Sequence, residues 1–159
     1  MRIYLVRHGK ASKDPSIPTD AERPLTKRGR ADVEAVARQI AQSGVDIHQI
    51  RHSGLVRAAQ TADILGDHLQ PPGGVIAVKG LHYADPVERL AHELHMEPYP
   101  VMFVGHNPFM ENLVSLLLTR KTGLTPVWFT TSCTVCMEFI EGEWSIRWVL
   151  NREIMPGKD

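Results

Sequence analysis

Three short segments of this chain carry residue types suited to phosphorus chemistry: Arg7-His8-Gly9, His52-Ser53-Gly54 with Arg57 close behind, and Gly105-His106-Asn107. A phosphoryl group needs fixed donors for its charged equatorial oxygens and a nucleophile in line with the leaving group. Arginine suits the first task because its planar fork meets two oxygens at once. A neutral imidazole suits the second, forming a transient phosphohistidine. Gly9 is expected to let backbone and substrate come close to the His8 ring. With Arg7, Arg57 and a second histidine sharing the charge stabilisation, no metal is required. Taken singly, each residue has an ordinary reading, a solvated arginine or a hydrogen-bonded histidine. Their joint occurrence at the ends of strands is what points to phosphorus chemistry.

Those strands can be read from the surrounding pattern. Arg2 to Val6 is a short apolar run, and Lys10 to Arg23, with Pro15 and Pro18, is a loop. Thr26 can cap a helix to about Gln42, in which Val33, Val36, Ala37 and Ile40 keep helical spacing and Gly44 supplies the stop. Ile47 to His52 reads as a second strand, Leu55 to His68 as a helix, and Val75 to Val78 as a third strand. Asp85-Pro86-Val87-Glu88 has the form of a helix start with an Asp cap, followed by the apolar stripe Val87, Leu90, Ala91 and Leu94. Pro100 to Val104 is a fourth strand leading through Gly105-His106-Asn107-Pro108 into a helix to about Leu118. Val135 to Ile140 and Trp144 to Leu150 read as a hairpin. The alternation predicts a three-layer α/β/α sandwich, with a mostly parallel central sheet and a late antiparallel hairpin. Ligands in such sheets bind beyond the carboxyl ends of the strands, where all three segments fall.

The chain has 159 residues, enough for one core, and residues 1–159 are expected to form a single domain. Its formal net charge of zero argues against a general electrostatic grip on nucleic acid or an anionic membrane. No apolar run is long enough to span a bilayer or form a signal-peptide core, so a cytoplasmic location is expected. Cys133 and Cys136, if on one strand, point to opposite faces and cannot bond to each other; small apolar strand residues explain them better than a redox or metal pair. His92 and His95 lie three apart, where a zinc-protease helix needs four, so they read as a solvated face. Lys10, Lys13, Arg23, Lys27, Arg28 and Arg30 form a basic stretch: a solvated face, or a rim that attracts an acidic protein. Trp128, Trp144 and Trp148 are expected to pack the hairpin against the sheet, with one of them available to the pocket mouth.

Val6-Arg7-His8-Gly9, the segment Ser53 to Ala62 containing Arg57, and Val104-Gly105-His106-Asn107-Pro108 resemble the signature segments of the histidine phosphatase superfamily, which includes the phosphoglycerate mutases. Arg23-Pro24-Leu25-Thr26-Lys27-Arg28-Gly29 resembles a further segment. All four stand in the family's order over nearly the whole chain. The resemblance implies that His8 is the nucleophile and that Arg7, Arg57 and His106 form the phosphate pocket, with His106 donating to the phosphoryl oxygens. Thr26 matches a supporting position, though helix capping explains it equally well.

Larger relatives carry a lid insertion and a Glu after the third strand as general acid. Here that stretch reads Gly80-Leu81-His82-Tyr83-Ala84-Asp85-Pro86, without a Glu; His82 is a possible substitute acid, and no lid insertion is evident. The closest resemblance is therefore to the compact SixA-type phosphohistidine phosphatases. The two absences agree chemically: an ester expels a basic alkoxide, whereas phosphohistidine expels an imidazole, which leaves neutral if its other nitrogen is protonated. The expectation is a monomeric phosphatase needing no cofactor, with a histidine-phosphorylated protein such as a phosphotransfer domain as partner. The alternative is a small-molecule phosphomonoesterase of the same superfamily.

Overall fold

The computed structural model describes residues 1–157. Six strands form one sheet in the order β3-β2-β4-β1-β5-β6. They are β1 (Arg2–Arg7), β2 (Gln49–His52), β3 (Val75–Ala77), β4 (Val101–Gly105), β5 (Thr134–Ile140) and β6 (Glu143–Leu150). β1, β2, β3 and β4 pair in parallel, whereas β5 runs antiparallel to both β1 and β6. The helices are α1 (Lys27–Gln42), α2 (Val56–Leu69), α3 (Val87–Glu93) and α4 (Phe109–Thr119). Among the described residues, no helix is long and apolar enough to cross a membrane.

Alternation along the central strands divides the core between the two faces of the sheet. Ile3, Leu5, Val101 and Phe103 pack with Leu90 of α3 and Leu113 of α4. Tyr4, Val6, Ile50, Met102 and Val104 pack with Val33, Val36 and Ile40 of α1 and Ala58 and Leu65 of α2. Cys133 and Cys136 are buried free thiols in these two opposite clusters, as small apolar residues would be.

Local signals decide most boundaries. Thr26 caps α1, its hydroxyl accepting from the Gly29 amide at 2.9 Å, and Gly44 follows the helix at φ +67°. The expected cap at Asp85 is not formed. Pro86 occupies the cap position, and the Asp85 carboxylate reaches back to accept from the His82 amide at 2.8 Å. The carboxylate thus closes the turn before α3 and satisfies a loop donor instead of a helical one. β2 is shorter than expected, yet Ile47 is still buried and the His48 amide donates to Pro100 at 2.8 Å. Trp144 is buried, and Trp148 lies against Tyr4 with ring centroids 5.9 Å apart, but Trp128 is exposed and does not pack the hairpin.

The loop leaving β1 lies directly on the first turn of α1: the Thr26 amide donates to the Lys10 carbonyl at 2.8 Å. A side chain at Gly29 would collide with that carbonyl. Glycine is needed here for close approach, not for an unusual backbone angle. Gly29→Ala should lower stability by about 2 kcal/mol, an overpacking effect. A urea titration of wild type and variant checks this; an unchanged midpoint would refute the close-approach reading.

Candidate active site

β1, β4 and β2 are adjacent and parallel, so their carboxyl ends open on one place. Arg7 is in register with Gly105, and the His8 amide continues the ladder by donating to the Gly105 carbonyl at 3.0 Å. This pairing brings the His8 and His106 rings to a centroid separation of 5.0 Å. Arg57, in the first turn of α2, is tied to the same place through Thr61, whose hydroxyl accepts from the Gly9 amide and donates to the Arg57 carbonyl. The three segments singled out from sequence therefore meet.

Each guanidinium is held by its outer nitrogens. Arg7 Nη1 donates to the Phe129 carbonyl at 2.8 Å, and Asn107 Nδ2 donates to the same carbonyl and to Glu111 Oε1, each at 3.0 Å. Burial pulls the Arg7 guanidinium below its ordinary value, partly offset by the Glu111 charge. Arg57 is buried; its Nη1 donates to the Asp20 backbone carbonyl at 2.8 Å and its Nη2 to Asp20 Oδ2 at 3.0 Å. Asp20 Oδ1 also accepts from Arg23 at 2.9 Å, and Arg23, then Arg57, hold this carboxyl below the usual carboxylate range.

The imidazoles are oriented as firmly. His8 Nδ1 lies 2.6 Å from the Gly9 carbonyl oxygen, which can only accept, so Nδ1 carries the proton and Nε2 keeps its lone pair. Burial lowers the His8 pKa to about 4; the Gly9 bond opposes this, while the charges of Arg57, Arg7 and Arg23 add to it. Burial also lowers His106 to about 3, helped by His8, Arg57 and His82. Ser53 Oγ holds His106 Nε2 at 2.6 Å. Thr61 ties the site to α2, since its hydroxyl accepts from the Gly9 amide at 3.0 Å and donates to the Arg57 carbonyl at 2.8 Å.

The Gly9 amide donates to Thr61, and a Cβ there would lie 2.7 Å from Val33 Cγ2 and 3.1 Å from the Gly29 carbonyl, so the missing side chain makes room for α1. Thr26 is engaged in its cap and donates to the Lys10 carbonyl at 3.3 Å. His82 lies close by, its ring 6.3 Å from that of His106. The Ala84 amide donates to His82 Nδ1 at 3.3 Å, which leaves its proton on Nε2. Asp20 and the Phe129 carbonyl were not singled out from sequence, while Arg23, Ser53 and Thr61 were named there only within longer segments, without a role in the site. Among the described residues, no three or more His, Cys, Asp or Glu side chains group as a metal site, and His92 and His95 form none.

Arg7 Nε, Arg57 Nε and His106 Nδ1 are buried without a partner in the chain. Buried polar groups are nearly always paired, and these three unpartnered nitrogens belong to the residues whose types suit the oxygens of an anion. A neutral imidazole with a free Nε2 stands beside them.

The sequence profile described as "Histidine phosphatase superfamily (branch 1)" matches residues 3–83, just over half of the chain. An uncharacterized protein of Picosynechococcus sp. is 40% identical over 131 residues, covering 77% of this chain and 76% of its own length. The phosphohistidine phosphatase SixA of Escherichia coli is 28% identical over 156 residues, covering 95% of this chain and 94% of that protein. A solved structure of the protein histidine phosphatase SixA complexed with tungstate superposes with a TM-score of 0.84 at 27% identity, over 96% of this chain and 97% of that one.

Because both rings hold protons more weakly in the folded chain than in the unfolded one, acid binds preferentially to the unfolded state. The stability that the neutral rings contribute is complete above about pH 6.5 and is lost as pH falls toward 4 for His8 and 3 for His106. A histidine-detected NMR titration should find neither ring protonated above pH 5. A midpoint near 6.5 for His8 would contradict a half-buried ring flanked by guanidinium charge.

Proposed function

Since the chain belongs to the histidine phosphatase superfamily, we propose that it hydrolyses a phosphoryl group from a histidine-phosphorylated protein through a phospho-His8 intermediate, without a metal. The observation that carries this reading is the His8 ring: half-buried, neutral, its Nδ1–H engaged by Gly9 and its Nε2 free beside two arginines. Nε2 attacks phosphorus in line with the substrate nitrogen; the P–N bond breaks as the new one forms, and the substrate imidazole leaves neutral with the proton on its other nitrogen. Arg7 and Arg57 donate to the phosphoryl oxygens through their partnerless nitrogens, and His106 joins them with the Ser53 hydroxyl donating to its Nε2, which leaves the His106 proton on Nδ1.

Phosphorylated His8 keeps its Nδ1 proton and carries imidazolium charge, which the Gly9 carbonyl stabilises. Water then attacks phosphorus, the His8 Nε2–P bond breaks, and His8 departs as the neutral imidazole it was at the start. Inorganic phosphate takes up the water's oxygen and protons. Both leaving groups in this cycle are imidazoles, so the scheme runs without a strong enzyme acid. The support from SixA lies in likeness over nearly the whole chain, and that protein's named activity is the one proposed for this chain.

The second reading, a small phosphate monoester as substrate, is favoured by one observation. His82, with its proton on Nε2, adjoins His106 and can supply the proton an alkoxide needs. A substrate panel separates the two. A phosphotransfer domain phosphorylated on histidine should be dephosphorylated at least about 10³-fold more slowly by His8→Ala, and EDTA should leave the wild-type rate unchanged. Loss of activity in EDTA, restored by a divalent ion, would overturn the mechanism. Turnover of unactivated alkyl phosphates at rates matching the phosphoprotein, abolished by His82→Ala, would establish the second reading instead.

A further inference from the structure

The segment entering β5 contributes to the site through the Phe129 carbonyl, and it holds one side chain in an unusual placement. Val127 and Phe129 are buried, at 8% and 1% exposure, while Trp128 between them is 75% exposed. The turn that carries it is fixed. The Thr130 amide donates to the Trp128 carbonyl at 3.1 Å, the Cys133 amide to Thr130 at 3.1 Å, and the Thr130 hydroxyl to Asn151 at 3.0 Å. The Ser132 amide reaches the carbonyls of both Arg7 and His8, at 3.1 and 3.2 Å.

Single exposed apolar residues are ordinary, and Met96 and Ile154 are comparably exposed in short 3-10 turns. Trp128 differs in its connection to the pocket. The next residue, Phe129, supplies the carbonyl that holds Arg7 Nη1 at 2.8 Å and Asn107 at 3.0 Å. An indole one peptide from that contact is of no use to a phosphoryl group, which is recognised by charge and hydrogen bonds. It is suited to apolar surface surrounding such a group. A second exposed ring, Tyr83, at 39% exposure, lies edge-on to His106 with centroids 6.1 Å apart. An aromatic anchor carried on a backbone segment already fixed by hydrogen bonds loses little backbone freedom on contact.

Resting on the phosphoprotein reading of the site, we propose that Trp128 is the docking anchor for the protein that presents the phosphohistidine. It packs on an apolar patch beside the phosphorylated side chain and selects protein substrates over small phosphoryl donors. The pocket performs the chemistry on either kind of substrate; Trp128 contributes only where a folded surface surrounds the phosphoryl group.

The test compares two P–N donors, a histidine-phosphorylated phosphotransfer domain and phosphoramidate, on wild type, Trp128→Ala and Trp128→Phe. The expected result is at least about a tenfold loss of kcat/KM on the phosphorylated domain for Trp128→Ala, mainly through KM, with phosphoramidate turnover within about twofold of wild type and Trp128→Phe restoring most of the loss. Equal losses on both donors would mean a merely structural role, and no loss on the domain would mean no contact; either overturns the proposal. Wild type active on phosphoramidate but not on the domain would overturn the phosphoprotein reading together with this anchor. As a binding readout, the phosphorylated domain added to His8→Ala should shield the exposed indole from acrylamide quenching, and Trp128→Ala should remove that change.

Discussion

Two arginines and two imidazoles brought to one spot repel one another, and the arrangement of this chain around the carboxyl ends of β1, β4 and β2 can be understood as the way that repulsion is contained. Removing charge from water is costly, and like charges add to the cost. The imidazoles meet the constraint by remaining neutral, with pKa values lowered to about 4 and 3. The arginines cannot do so. Arg57 is neutralised by Asp20, and Arg7 is eased by the Phe129 carbonyl and the Glu111 charge. Each of these partners comes from a different part of the chain, so the segments are fixed by the charges they balance.

The same containment prepares the proposed reaction. Depressed proton affinity keeps His8 a free base at neutral pH, and the Gly9 bond decides which nitrogen is free. Each guanidinium is held by its Nη atoms, while its Nε remains without a partner in the chain. Anchoring the far end of each side chain reduces the freedom lost when an anion is bound, which is the physical content of preorganisation. The Asp20 carboxylate, being about half exposed, can yield to a phosphoryl group more readily than a buried one.

The strand and helix order, the layers and the meeting of His8, Arg57 and His106 were legible in the sequence because periodicity and parallel topology are local or near-local rules. What lay beyond reading has identifiable causes. Asp20 reaches Arg57 across 37 positions from a loop with no periodicity, so no spacing rule connects them. The hold on Arg7 is a backbone carbonyl, which any residue at position 129 could supply. Gly9 and Gly29 were readable as glycines but not for their purpose, which is to let the loop after β1 and the start of α1 touch. Asp85 fits a capping pattern yet serves the preceding turn, because its carboxylate finds the His82 amide first. Trp128 has the composition of a core residue, and only the burial of its two neighbours turns it outward.

Everything proposed for the chemistry depends on His8 taking the phosphoryl group on Nε2. Rapid mixing with a phosphoryl donor, an alkaline quench and peptide mass spectrometry would locate the label, and 31P NMR of the quenched protein would identify the nitrogen. The expected result is one phosphoryl group per chain, on Nε2 of His8, formed and lost at the rate of turnover. A label on Nδ1 or on another residue, or turnover with no label at all, would contradict it.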